Sequence, residues 1–188
     1  MMQSLPQGYR ALVLGASGAI GEALANQLGA DPRCQQVHAL SRQSDPAFDL
    51  LNEDSMALCA AALAHLGPFH LVIDATGALM IDGRGPEKRL DELNADHLLR
   101  SMQLNAVGPA LLLKHFSLLL ASGERVIWAK LSARVGSIED NRKGGWYGYR
   151  AAKAALNMLL QTAAIEISRR RPLAVVAALQ PGTVRSAL

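Results

Sequence analysis

The sequence contains few aromatic residues and almost no cysteine. Aromatics make up 4% of its 188 residues, and the only two cysteines are Cys34 and Cys59. These two do not have the spacing of a metal site or of a disulfide framework, and no second Cys or His pair stands nearby to complete one. We therefore expect two reduced, buried thiols and no metal centre.

The sequence also lacks a long uninterrupted apolar run. Its N-terminus, MMQSLPQGYR, has no apolar core of the kind found in a signal peptide. The richest apolar stretch, ALLLKHFSLLLA, is interrupted by Lys114 and His115 and is too short to span a bilayer. We expect a cytoplasmic protein that does not associate with membranes.

A strong excess of one charge is absent too, since the formal net charge is +3. The densest cationic run, SRRRP at 168–172, stands where a predicted helix ends. Arginines there complement the negative end of the helix dipole, and Pro172 stops the helix. This favours a helix terminus over a nucleic-acid-binding patch. Because half of the residues are hydrophobic and no low-complexity linker divides the chain, one domain over 1–188 is predicted.

Short apolar runs alternate with longer segments of helical period along the whole chain. The runs are ALVLG, VHAL, LVIDA, RVIWAKL and LAVVAAL, and the long helical regions lie near 90–120 and 146–170. Strict alternation predicts a doubly wound (Rossmann) α/β fold of three layers, with a parallel sheet between helices. Pro109, inside LNAVGPALLL, should kink its helix or split it in two.

The first apolar run leads into GASGAIG, where Gly15, Gly18 and Gly21 recur every third residue and a helix follows at once. Glycines in this context let backbone N–H groups approach a pyrophosphate at the positive end of a helix. The pattern indicates a nucleotide site. The spacing is not G-x-G-x-x-G, and a turn of this kind also serves helix–strand packing without any ligand.

The second run ends in VHALSRQ, which places Ser41 and Arg42 where NAD-binding chains usually carry an acid for the ribose hydroxyls. An arginine there pairs with a 2′-phosphate, which an acid would repel. We therefore expect NADP(H) to be favoured over NAD(H). The alternative is a solvated surface arginine.

Two tyrosines stand in GGWYGYRAAKAAL, and helix geometry distinguishes them. Tyr149 and Lys153 are four residues apart and share a helix face, whereas Tyr147 is six residues from Lys153 and points away from it. A nearby ammonium lowers the pKa of a phenol and suits it to proton transfer. The alternative is an incidental pair, because Y-x-x-x-K is a short pattern.

These motifs occur in the order found in one large family. GASGAIG stands after the first strand, AFDLLN after the third, DATG at the end of the fourth, LNAVGPA in the fourth helix, and YGYRAAK and LQPGTV follow. Over nearly its whole length the chain resembles the short-chain dehydrogenase/reductase (SDR) superfamily. Two segments are similar to the C-factor and Sniffer-like carbonyl reductase branch of that family: PEKRL and LSARVGSIEDNRKGGWYGYRAAKAALN.

The resemblance implies a role for each matching position. Tyr149 would be the general acid, Lys153 would bind the nicotinamide ribose, and Asn105 would hold a relay water or, alternatively, satisfy a freed carbonyl of its own helix. Arg42 would bind the 2′-phosphate. The other expected cofactor contacts are Gly15, Ser17, Gly18, Ile20 and Gly21 at the pyrophosphate and ribose; Asp49 and Leu50 at the adenine; Ala75, Thr76 and Gly77 along the cofactor; and Pro181, Gly182 and Val184 at the carboxamide.

One catalytic position departs from the family pattern. Where relatives read S-S-x-x-G, this chain reads S-A-R-V-G, which puts Ala133 at the usual serine. Ser132 could take the role, Ser137 could reach in, or the site could lack this hydrogen-bond donor; we favour Ser132. A missing donor of this kind costs about 10²–10³ in rate.

The resemblance also implies that a C-terminal strand and helix are missing after PGTVRSAL. The expected function is NADP-dependent hydride transfer between the nicotinamide and a carbonyl or alcohol substrate, in a homodimer or homotetramer. The alternative is a nucleotide-binding regulatory or interaction protein that has the same fold and impaired catalysis. Fold alone does not choose between the two.

Overall fold

The computed structural model describes residues 2–182, which form alternating strands and helices. A π-helical segment, Gln103–Val107, joins two of the helices, and short 3₁₀ turns precede or follow several others. The main elements in chain order are β1 Tyr9–Leu14, α1 Ala19–Gly29, β2 Cys34–Leu40, α2 Glu53–Leu63, β3 Leu71–Asp74, α3 Ala95–Met102, α4 Gly108–Phe116, β4 Val126–Leu131, α5 Tyr147–Arg170 and β5 Ala174–Leu179.

The five strands form one parallel sheet in the order β2-β1-β3-β4-β5. Helices cover both faces, because alternate residues of the central strands point to opposite sides. Leu12 and Leu14 of β1 pack with α2, α4 and α5 in the larger core cluster, and Ala11 and Val13 pack in the smaller cluster beside α1. The predicted doubly wound three-layer fold is confirmed.

The long helical region near Asn105 is interrupted, as Pro109 predicts. α3 ends at Met102, the π-helical segment follows, and α4 begins at Gly108 with Pro109 in its first turn. Proline cannot donate a backbone hydrogen bond, so the regular α-helical ladder cannot run through it, whereas the first turn of a helix tolerates it. The change of helix type places Asn105 inside the π-helical segment.

The expected strand before AFDLLN is not found in residues 2–182, so that prediction is wrong. DATG follows the third strand of the sheet, and Asp49 makes only an isolated bridge to Asn52. The loop between β2 and α2 is held by side chains instead: the Ser44 hydroxyl donates to Pro46 O at 2.8 Å and accepts from Ser41 N–H at 2.9 Å. Those bonds satisfy backbone groups that a strand would otherwise pair.

The two thiols differ in exposure. Cys59 on α2 is buried, whereas Cys34 at the start of the edge strand β2 is only partly buried, so the prediction of two buried thiols holds for one of them. Burial raises the pKa of the Cys59 thiol to about 11. Within residues 2–182, no helix combines the length and the apolarity that crossing a membrane requires.

Candidate active site

The turn after β1 has a shape that only glycine permits at two positions. Gly15 has φ +85°, and a Cβ there would lie 3.0 Å from the Thr76 backbone nitrogen. A Cβ on Gly21 would lie 2.3 Å from the carbonyl oxygen of Gly15. Helix α1 therefore starts directly against the turn, with its first backbone N–H groups beside the carboxyl edge of the sheet.

The start of α1 has the features that a phosphate group requires. Gly18 caps the helix without any side-chain hydrogen bond, so no side chain competes for the N–H groups of the first turn. Ser17 is exposed and Ile20 is half-buried at the same turn. A glycine cradle that a Cβ would fill, at an uncapped helix N-terminus, fits the pyrophosphate of a dinucleotide.

Arg42 follows the strand to which this turn is bonded. The N–H groups of Gly15 and Ala16 both donate to Leu40 O, at 2.8 and 3.0 Å, so the turn and the end of β2 are joined directly. Arg42 stands two residues later, is exposed, and makes no hydrogen bond to any other residue in 2–182. Its guanidinium group is thus exposed on the segment that follows this junction, and its role at a 2′-phosphate stays a prediction.

The two residues predicted to contact the adenine, Asp49 and Leu50, lie in the loop between β2 and α2. The carbonyl oxygen of Leu50 would lie 2.9 Å from a Cβ on Gly108, so Leu50 packs against the start of α4. Asp49 Oδ1 accepts the Leu51 N–H at 3.0 Å, which uses part of its carboxylate in its own turn. Their role at the adenine stays a prediction.

A buried ion pair lies under the DATG loop, and the sequence interpretation did not identify it. Lys130 of β4 and Asp74 of β3 are both 0% exposed, are paired in register, and lie 2.9 Å apart from Nζ to Oδ1. Lys130 Nζ also donates to Thr76 O at 2.7 Å and contacts Thr76 Oγ1 at 3.0 Å. The sequence signal for this pair was the position of the lysine, two residues after Trp128 and on the same face of a central strand. A charge in such a buried position needs a partner.

Asn105 holds the next part of this loop. Its side chain accepts the Ala78 N–H at 3.0 Å and donates to Ala78 O at 2.8 Å, and Asn105 is 0% exposed. A Cβ on Gly77 would lie 2.8 Å from Asn105 Oδ1 and 3.6 Å from Lys153 Nζ. The loop formed by Ala75, Thr76 and Gly77 is thus enclosed by three side chains, those of Lys130, Asn105 and Lys153. The Asn105 amide binds the loop and not a carbonyl of its own helix, and its role with a water stays a prediction.

Tyr149 and Lys153 lie together on α5, as their spacing predicts. Lys153 Nζ stands 5.4 Å from the centroid of the Tyr149 ring, and it donates to Leu131 O at 3.3 Å. Trp146 packs edge-on against the Tyr149 ring, with centroids 6.0 Å apart. The ammonium group therefore faces the ring, between the end of β4 and Gly77.

The electrostatics of this pair differ from the expectation. Burial raises the pKa of Tyr149, so the prediction of a lowered value is wrong for this geometry. Burial, and then the nearby charge of Lys130, lower the pKa of Lys153 to about 7, with Asp74 acting in the opposite direction. Because Lys153 is partly neutral at neutral pH and lies over the ring, it stabilises a phenolate only weakly.

The serines near Ala133 are both engaged in the protein. The Ser132 hydroxyl donates to Asn157 Oδ1 at 2.7 Å, and Ser137 Oγ accepts the Asp140 N–H at 3.2 Å. A hydroxyl has a single proton to donate, so Ser132 can donate to a substrate carbonyl only if it turns away from Asn157. Its catalytic role stays a prediction.

The expected carboxamide contacts follow β5. Pro181 and Gly182 are exposed, and Gly182 has φ +76°. Val184 lies outside the described residues.

Comparison with known proteins identifies the architecture around these residues. A family model for the short chain dehydrogenases matches residues 34–188. The chain is 29% identical over 163 residues to 1-hydroxy-2-glutathionyl-2-methyl-3-butene dehydrogenase of Rhodococcus sp. AD45, covering 79% of this chain and 66% of that protein. It therefore spans slightly less than two thirds of that relative.

Solved structures share the fold at low sequence identity. One is a putative short-chain dehydrogenase/reductase from Burkholderia multivorans with bound NADP, with a TM-score of 0.81, 23% identity, and coverage of 96% of this chain and 81% of that one. Another is the carbonyl reductase Sniffer of Drosophila melanogaster, with a TM-score of 0.81, 21% identity, and coverage of 96% and 83%. At these identities the likeness describes the fold.

Proposed function

The chain belongs to the short-chain dehydrogenase family, and from that premise we propose that it is an NADP-dependent oxidoreductase acting on a carbonyl or alcohol substrate. The observation that carries the proposal is the meeting of Tyr149, Lys153 and the Gly77 loop at the carboxyl edge of the sheet. Ligands of doubly wound folds bind at this edge.

The glycine turn and Arg42 would hold the phosphates of the cofactor, and the Thr76–Gly77 loop would border its nicotinamide half. When bound, the cofactor supplies or accepts the hydride. The chain matches the short chain dehydrogenase model, and the Burkholderia structure of similar fold is an NADP complex. Both findings support a nicotinamide dinucleotide as the cofactor. Exposed Arg42 favours the 2′-phosphorylated form.

In reduction, the Tyr149 hydroxyl would donate a proton to the substrate oxygen, and in oxidation the same oxygen would take it back. Burial keeps Tyr149 protonated, which suits the role of acid. Lys153 would hold the cofactor ribose from beneath Gly77, and Asn105 would keep that loop in place. Ser132 would assist only when its hydroxyl leaves Asn157.

The test compares Tyr149→Phe with Tyr147→Phe on the same helix. Removing a positioned acid costs about 10²–10⁴ in rate, so Tyr149→Phe should lose turnover of NADPH with a panel of ketones and aldehydes. Tyr147→Phe should keep it, because Tyr147 does not share the Lys153 face. Fluorescence titration should give both variants the NADPH affinity of the parent. Equal activity in the two variants would remove Tyr149 from the mechanism.

The cofactor preference has its own test. We expect Arg42→Ala to weaken NADPH binding by about tenfold and to leave NADH binding unchanged, since only NADPH carries the 2′-phosphate. The control is Arg125→Ala, an exposed arginine directly before β4, at the opposite edge of the sheet. An unchanged ratio of the two affinities in Arg42→Ala would show that this arginine is only a surface residue.

The second candidate is a nucleotide-binding regulatory or interaction protein. Ala133 and the engaged Ser132 hydroxyl favour it, because Ser132 then has no free proton to donate to a substrate carbonyl. Tight NADPH binding without turnover of any carbonyl, in a protein whose Tyr149→Phe variant behaves identically, would select this candidate.

We also propose that the chain forms a homodimer or homotetramer in the cytoplasm. α3 and α5 carry exposed apolar residues, among them Leu99 at 63% and Met158 at 67% exposure. Sedimentation should show a dimer or larger species at micromolar concentration, and monomer alone would overturn the oligomer.

A further inference from the structure

The helix that carries Tyr149 begins without a cap of its own. Its N-cap residue is Trp146, in the left-handed conformation with φ 59°, and the Trp146 side chain makes no capping hydrogen bond. The first turn of a helix leaves backbone N–H groups unpaired, and Ser, Thr, Asp or Asn normally satisfies one of them. Another part of the chain must therefore fix the start of α5.

Glu87 does so from a loop 61 residues earlier in the chain than Gly148. Its Oε2 accepts the Gly148 N–H at 3.0 Å, and its carbonyl oxygen accepts the Trp146 N–H. Glu87 is only 4% exposed. A carboxylate at a helix N-terminus is also favoured by the helix dipole. Glu87 thus caps α5 in place of a local residue.

His97, in the first turn of α3, fixes the other carboxylate oxygen of Glu87. His97 Nδ1 lies 2.9 Å from Glu87 Oε1, and the side chains are 10% and 3% exposed. Burial alone would raise the pKa of Glu87, but the Gly148 N–H and His97 outweigh it and hold the pKa below its usual range. The cap is therefore a charged carboxylate held from two helices.

Gly148, the residue between the two tyrosines, is explained by this contact. A Cβ there would lie 3.1 Å from Glu87 Oε1 and 3.1 Å from Leu98 Cδ2. With a Cβ at this position, the Glu87 carboxylate or the Leu98 side chain would have to shift by a few tenths of an ångström. The motif Y-G-Y thus leaves space for Glu87 directly beside Tyr149.

We propose that Glu87 is a positioning residue for Tyr149, acting through the Gly148 amide. This rests on the proposed role of Tyr149 in proton transfer. Glu87 fixes the first turn of α5, and the direction of that turn sets where the Tyr149 hydroxyl points. Loss of the cap would lower turnover by misplacing the acid, while cofactor binding at the glycine turn would be unaffected.

The experiment uses the full chain with Glu87→Ala, Glu87→Gln and the control Glu92→Gln. Glu92 lies in the same segment, but among residues 2–182 its carboxylate bonds only Lys88 and Arg89. Glutamine keeps an oxygen that can accept the Gly148 N–H, and a neutral histidine can accept from its amide by changing tautomer. Glu87→Gln should therefore rescue most of what Glu87→Ala loses.

Amide hydrogen exchange, measured without substrate or cofactor, reads the first turn of α5 directly. In Glu87→Ala we expect exchange there to accelerate by about 10- to 100-fold, in line with the loss of a hydrogen bond to a charged group. Exchange in the second half of α5 should not change. Equal exchange in Glu87→Ala and Glu92→Gln would overturn the cap itself, whether or not the protein is an enzyme.

Kinetics then test the positioning role. Glu87→Ala should lower kcat by about 10-fold or more, with KM and the NADPH Kd within twofold, since a 1 Å misplacement of a catalytic group alone costs rate. If exchange accelerates but kcat of Glu87→Ala equals that of the parent, Glu87 does not position the acid. If the parent itself turns over no carbonyl, the proposed function fails, and the positioning role fails with it, while the exchange result for the cap stands.

Discussion

The two parts of the candidate site are built in opposite ways. The turn after β1 depends on missing side chains: Gly21 has no room for a Cβ beside the Gly15 carbonyl. The region at the ends of β3 and β4 depends on side-chain charge: Asp74 and Lys130 pair in full burial, with Lys153 close by. The first part is set by steric contact between backbone atoms and the second by electrostatics in a dry interior.

This difference predicts different sensitivities. A backbone contact is disturbed by any added atom, whatever its polarity, because packed backbone has nowhere to move. A buried ion pair tolerates modest changes of shape but not the removal of one charge, because the other is then left unpaired. Substitutions that separate shape from charge therefore test the comparison directly.

Lys130→Met should have the largest effect on stability. It keeps the shape of the side chain and leaves the Asp74 carboxylate buried without a counter-charge, which costs about 3–5 kcal/mol. Urea unfolding at pH 7 measures the loss. The control is Lys114→Met, since Lys114 pairs with Glu53 at an exposed position and such a pair is worth about 0–1 kcal/mol.

If Lys130→Met and Lys114→Met lose the same stability, burial does not decide the strength of these pairs. A double variant, Lys130→Met with Asp74→Asn, removes both charges and should recover part of the loss. No recovery would show that the contacts of Lys130 Nζ with Thr76, and not the charge left on Asp74, made the main contribution.

Gly21→Ala should have the next largest effect, through shape alone. Its Cβ would lie within 2.3 Å of a backbone oxygen, and overpacking of this kind costs about 1–3 kcal/mol. We also expect weaker NADPH binding in a fluorescence titration, because the turn must shift. Gly29→Ala is the matched control at the other end of α1, where a Cβ has open space and alanine favours the helix. Equal stability of the two variants would contradict the steric account of this turn.

The effect that is smallest per pH unit concerns the pH dependence of stability. The pKa of Lys153 is lowered from 10.5 to about 7 by burial and by Lys130. Between these two pH values the unfolded chain binds a proton that the folded chain lacks, so the free energy of unfolding rises with pH. Below about pH 7 both states bind the proton, and the contribution of Lys153 no longer changes with pH. The slope from one group is at most about 1.4 kcal/mol per pH unit.

Urea unfolding of the parent and of Lys153→Met at pH 7, 8 and 9 isolates this contribution. The stability difference between the two proteins should change with pH, with the parent gaining relative to the variant as pH rises. Parallel curves would mean that Lys153 keeps its ordinary pKa in the folded protein.

Local patterns in the sequence predicted much of the architecture. Alternation of apolar runs and helical segments identified every strand of the described sheet, and Pro109 marked the interruption between α3 and α4. The spacing of Tyr149 and Lys153 predicted their contact, because residues four apart on a helix lie on one face. The prediction of a strand before AFDLLN was wrong, because that segment is a loop whose backbone hydrogen-bonding groups are satisfied by serine side chains.

Contacts between distant segments were not predictable in the same way. Glu87 and Gly148 meet only because the loop before α3 folds onto α5. The direction of the Tyr149 pKa was also missed, because burial depends on the surrounding elements and not on the residue four positions away.

The sequence by itself determined the order of strands and helices, the glycine turn and the helix face shared by Tyr149 and Lys153, because these depend on local periodicity and backbone freedom. Only the tertiary structure decided the partners of the buried charges: Asp74 with Lys130, and Glu87 with His97 and the start of α5. The physical reason is that desolvation makes each buried charge require a nearby partner, while the fold alone brings distant segments close enough to supply one.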